Sequence, residues 1–145
     1  MYEKIIKIDN LPRLDMDEVK NFENKVGFKI PKDFLDCLSY QNGAFLKFTL
    51  GNLEKDFWIK NIPGINSDKN NALMHSNYYI NEWSLPKDIL LIYGEGNWWV
   101  VFDYRNLNND NTPKISLLDS EMNKDEVIAN SFTELLSSLE EIKGV

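Results

Sequence analysis

The stretch Leu90 to Arg105, LLIYGEGNWWVVFDYR, constrains this chain more than any other. Two apolar runs flank Gly94, Glu95, Gly96 and Asn97, residue types that supply the positive φ angles of a tight hairpin turn. The second run is apolar on both faces: Trp98, Val100, Phe102 and Tyr104 fall on one side, with Trp99 and Val101 on the other before Asp103 and Arg105. Such a strand belongs in the middle of a sheet, covered from both sides. Successive side chains alternate, so Trp98 and Trp99 are expected to enter different layers.

The order of the other elements follows from spacing and caps. Asp15 with Glu18 three residues on resembles a capping box; Val19, Phe22 and Val26 then recur at helical spacing until Gly27 stops the helix. Pro31 suits a first helical position, Phe34, Leu35 and Leu38 face inward, and Asn42 with Gly43 ends that second helix. Alternation over Ala44 to Leu50 and Asp56 to Ile62 predicts two strands joined by a turn at Gly51 to Lys55. Ser67 to Trp83 is polar but carries Leu73, Met74, Tyr78, Tyr79, Ile80 and Trp83, which fits an irregular helix over one sheet face. Beyond the hairpin come an Asn-rich loop at Asn106 to Pro113, a strand at Lys114 to Leu118 and a short strand at Val127 to Ala129. Ser131 and Glu134 open a final helix with a stripe of Leu135, Leu136, Leu139 and Ile142 that stops at Gly144. Helices, then strands, then a helix define an α+β fold with a largely antiparallel sheet.

At 145 residues the chain is expected to be a single domain over 1–145, a length that buries about 70% of its unfolded surface. No apolar run approaches the ~20 residues of a membrane span. At the start, Glu3, Lys4, Lys7 and Asp9 interrupt Ile5, Ile6 and Ile8, so no signal-peptide core is present and a cytoplasmic location is expected. The net charge of −7 argues against nucleic acid, whose binding depends on clustered Lys and Arg, and favours a basic partner. Cys37 is the single cysteine, which excludes an internal disulfide and fits a buried apolar spacer.

The chain is poor in catalytic chemistry. His75 is its one histidine and has no Cys, His or carboxylate at metal-ligand spacing; no GxSxG elbow surrounds any serine. Gly94-Glu95-Gly96 leads into a strand, whereas phosphate loops open onto a helix. Asp119, Glu121, Asp125 and Glu126 match no Ca²⁺ loop. No cofactor, metal or enzymatic activity is expected.

Four stretches together resemble the SUKH superfamily, the Smi/Knr-type domain. They are Ile30 to Leu35 leading to Gln41-Asn42-Gly43, Leu85 to Leu90, the hairpin from Tyr93 to Trp99 ending in Phe102-Asp103-Tyr104-Arg105, and Ile128 to Leu136. The resemblance implies a compact domain with a curved sheet flanked by helices and no catalytic centre. It implies a protein-binding module, of a kind frequent among bacterial immunity proteins that neutralise a cognate toxin by direct binding. The alternative is a regulator or scaffold for a housekeeping partner, as the eukaryotic relatives look to be.

Partner-facing candidates combine aromatic, amide and charged chemistry at the turn and strand end: Trp58, Glu95, Asn97, Asp103, Tyr104 and Arg105. For Asp103 and Arg105 a local ion pair that orients the strand end is the competing expectation. Asp119, Glu121, Asp125 and Glu126 form the acidic patch on which a basic toxin domain would be steered.

Overall fold

The computed structural model describes residues 2–9, 12–66 and 71–144. Three helices come first: α1 (Tyr2–Ile5), α2 (Met16–Val26) and α3 (Lys32–Tyr40). The Asp15 carboxylate caps α2 by accepting from the Asp17 N–H at 2.8 Å. Gly27 ends it at φ 83°, in the left-handed region that lets its N–H reach back to the Glu23 carbonyl. Pro31 lies just outside α3, its ψ of 140° still extended, so the helix begins one residue later than the spacing predicts. Phe34, Cys37 and Leu38 form its buried face, and burial beside the Asp33 charge pushes the Cys37 thiol up to about 12.

Among the described residues seven strands make two antiparallel sheets. Strands β1 (Ala44–Asn52) and β2 (Phe57–Ile62) form a hairpin. A short helix, α4 (Ser76–Glu82), precedes the hairpin of β3 (Ile89–Gly94) and β4 (Trp98–Leu107). Then follow β5 (Pro113–Asp119), β6 (Lys124–Ala129), α5 (Phe132–Ser137) and β7 (Glu140–Glu141). The sheets run β2-β1-β7 and β3-β4-β5-β6, which makes β4 an inner strand as its doubly apolar pattern requires. The α+β class and antiparallel pairing are as expected; the strands divide between two sheets, with β2 and β3 as packed neighbours that do not pair.

Two cores follow from the alternation along β4. Trp98, Val100 and Phe102 join the main core with α2, α3, α5 and the first sheet. The Phe34 ring meets Phe102 and Phe132 edge-on at 5.1 and 4.9 Å, locking α3 and α5 onto β4. Trp99 and Val101 join Ile89, Leu91, Leu118 and Ala72 in a second layer, covered by Tyr79 and Ile80 of α4 and by Leu85. Of the apolar residues expected to cover a sheet face from the Ser67–Trp83 segment, Tyr79 and Ile80 do so, whereas Leu73 and Met74 join the main core and Tyr78 and Trp83 stand exposed; residues 67–70 lie outside the described ones. The buried Ser76 hydroxyl accepts from the Leu91 N–H at 2.9 Å, satisfying a donor on the outer edge of β3.

The C-terminal segment departs from the expected long helix. Ser137 and Ser138 turn their hydroxyls onto the Thr133 and Leu135 carbonyls, competing with the helical ladder, and α5 stops there. Glu140 and Glu141 instead pair with Gly51 and Leu50 of β1, and the Ile142 side chain lies directly over Gly51. The short α1 and an isolated bridge from Ile6 to Leu46 also add to this sheet without a signal in the sequence. In the second sheet the edge strand β6 starts at Lys124, three residues before the expected strand.

Candidate functional site

The turn of the β3–β4 hairpin opens onto a cleft of about 440 Å³. Asp56, Trp58 and Lys60 line it from β2 and the residue before it, because residues two apart on a strand share a face. The β3–β4 turn adds Glu95, Asn97 and Trp98, and the β5–β6 turn adds Asp119, Glu121 and Met122. Both turns are tied together: the Ser120 N–H and hydroxyl donate to the Asn97 carbonyl at 2.9 and 3.0 Å. The Asp119 carboxylate accepts from the N–H groups of Glu121 and Met122, each at 3.0 Å, and so holds the β5–β6 turn.

Glu95 organises the aromatic wall. Its Oε1 accepts from the Trp58 indole Nε1–H at 3.1 Å and from the Tyr93 hydroxyl at 2.6 Å. The Trp58 ring then meets Trp98 edge-on at 5.1 Å, and the Tyr93 ring lies 6.0 Å from Trp98. Burial raises the Tyr93 phenol well above its usual value, and the Glu95 hydrogen bond and charge act in the same direction, so the phenol remains a donor. The cleft carries four carboxylates against the single ammonium of Lys60.

The other candidates lie elsewhere. Asp103 is fully buried and accepts from Arg105 Nε at 2.9 Å, the Ser116 hydroxyl at 2.7 Å and Asn106 Nδ2 at 2.9 Å. Burial alone would raise its carboxyl, but the bonds from Arg105, Ser116 and Asn106 outweigh it and hold the group below the usual carboxylate range. Arg105 also binds Asp125 in a fork, through Nη1 at 3.0 Å and Nη2 at 2.9 Å. These hydrogen bonds to Asp125 and Asp103 push the guanidinium pKa further up. The Asp103 side of β4 is the Trp99 side, so this cluster and the cleft occupy different faces. Tyr104 sits at the far end of the strand, stacked on Phe28 at 4.2 Å with its hydroxyl donating to the Lys29 carbonyl at 2.6 Å.

Trp58, Glu95, Asn97, Asp119 and Glu121 therefore come together, whereas Asp103, Arg105 and Asp125 form a structural ion cluster and Tyr104 ties β4 to the α2–α3 connection. Glu126 stands exposed on β6 opposite Leu117, so the four acidic residues expected as one patch are divided among three places. Sequence reasoning missed Asp56, Lys60 and Met122, and it read Trp98 as a core residue only. Alternation from Trp58 would have found the first two; Met122, 62% exposed beside Glu121, carries no such signal.

Among the described residues no three His, Cys, Asp or Glu side chains converge to hold a metal, and no helix is long and apolar enough to cross a membrane. The described residues thus form an antiparallel α+β fold with a mixed aromatic and acidic cleft between hairpin turns. Residues 13–138 match the SMI1 / KNR4 family (SUKH-1), and the chain belongs to that family. No curated protein matches it.

Proposed function

We propose that this chain is a non-catalytic protein-binding module that neutralises a cognate toxin by direct binding, with the cleft of Trp58, Glu95, Asn97, Asp119 and Glu121 as its contact surface. The observation that carries the reading is family membership over residues 13–138, since the family is associated with toxin-immunity proteins and is generally a non-catalytic module. The cleft supports it locally: the half-buried Trp58 indole, held by Glu95 and packed against the buried Trp98, stands among carboxylates and offers the aromatic and charged chemistry typical of interface hot spots. The partner is a protein with a basic surface, consistent with the chain's charge of −7.

The test is to search the adjacent reading frame for a toxin domain and to co-express the chain with it; a neighbour without one overturns the reading. A stable complex on size-exclusion chromatography and restored growth support the reading. Neither a complex nor rescue would overturn it in favour of a regulatory or scaffold role.

A further inference from the structure

We infer that the cleft receives an arginine side chain presented by the protein partner, its guanidinium stacked on the Trp58 indole and paired with the carboxylates of Glu95, Asp119 and Glu121. This rests on the protein-binding reading and specifies its chemistry. The hollow, at about 440 Å³, falls within the roughly 300–1,000 Å³ of ligand pockets, ample for one extended side chain.

Its polar groups are prepared and uncommitted. Glu95 spends only Oε1 on Trp58 and Tyr93, and Asp119 spends only Oδ1 on the turn. Asp56, Glu121 and the Asn97 side-chain amide make no hydrogen bond among the described residues, and none of the four carboxylates has an ion-pair partner there. Four carboxylates with one lysine give the hollow a net negative potential that favours a cation. The four carboxylates all line the cleft, yet no three of them converge to hold a metal ion among the described residues, a distribution that suits an extended organic cation.

The aromatic wall then selects among organic cations. The Trp58 indole cannot rotate freely, because Glu95 holds its N–H and Trp98 abuts its ring. A fixed indole face beside carboxylates is the setting in which a planar guanidinium stacks and pairs at once, whereas a lysine ammonium is more strongly hydrated and pairs as a point charge. Met122, exposed at the mouth, offers a soft apolar contact for the methylene stem.

The test uses the full chain labelled with ¹⁵N and the peptide acetyl-Gly-Ser-Arg-Ser-Gly-amide, with lysine and uncharged citrulline counterparts. The expected result is a saturable shift of the Trp58 indole N–H signal with the arginine peptide, at least about threefold tighter than with lysine and absent with citrulline. Asp56→Asn combined with Glu121→Gln, two exposed positions where the fold should be untouched, should weaken it about fivefold or more. No saturable shift, equal binding of citrulline, or indifference to the double variant overturns the inference. If the toxin domain binds with an affinity that neither the double variant nor Trp58→Phe changes, the arginine site falls while the binding function stands. If the arginine peptide binds as described but no toxin does, the site stands and the toxin-neutralising reading falls.

Discussion

Trp98 and Trp99 are neighbours in the chain that never share an environment: each is only 5% exposed, one in the main core and the other in the layer under α4. Replacing either with Ala should cost about 3–5 kcal/mol, the usual range for deleting a large buried aromatic. Urea midpoints measure it, and a wild-type midpoint in either variant would mean that its layer is not packed as described. Asp103 makes a different kind of prediction. Its carboxyl is held below the usual range, so the charged form stabilises the fold above the unfolded value of about 4, and that contribution is lost as pH falls through the lower folded value. Asp103→Asn should be less stable than the native chain at pH 7, with a smaller further loss on acidification to about pH 3. Parallel decline of the two urea midpoints would show that the buried carboxylate does not carry the acid sensitivity.

Single residues also decide whether elements can form. Gly94 ends β3 with the Trp99 ring lying across it, and an added Cβ would run into that ring. Gly94→Ala should therefore unfold at lower urea than the native chain and displace Trp99, which intrinsic fluorescence reads directly; an unshifted emission spectrum would refute the contact. Helix α5 is short, so its cap matters: the Ser131 hydroxyl accepts from the Glu134 N–H at 3.0 Å, as the capping-box spacing anticipates. Ser131→Ala should cost about 1 kcal/mol by chemical denaturation. No measurable loss would mean that packing of Phe132, Leu135 and Leu136 alone holds the helix. The cap was legible in the sequence and the helix end was not, because Ser137 and Ser138 halt the helix only where β1 lies ready to pair with Glu140 and Glu141.

Across the whole molecule, charge bears on encounter more than on the fold. Association with a basic toxin domain should slow as salt rises from about 0.05 to 0.5 M, where the Debye length shrinks from above 10 Å to well below it. Glu121→Lys should slow it further, while Glu126→Lys, on β6 outside the cleft, should do less. A rate indifferent to salt and to both reversals would leave shape and apolar contact as the basis of recognition. The sequence by itself determined the local matters: the doubly apolar inner strand, the turn glycines, two helix caps, the antiparallel α+β class and the family. These depend on periodicity and on backbone preferences that act within a few residues. Tertiary structure alone decided that the strands divide into two sheets, that β7 closes onto β1, and that Asp56, Trp58, Glu95 and Asp119 share a cleft while Asp103 and Arg105 bind one another on another face. Those outcomes depend on which strand edges meet and which turns are tied together, and residues 63 positions apart, such as Asp56 and Asp119, carry no record of that in their local pattern.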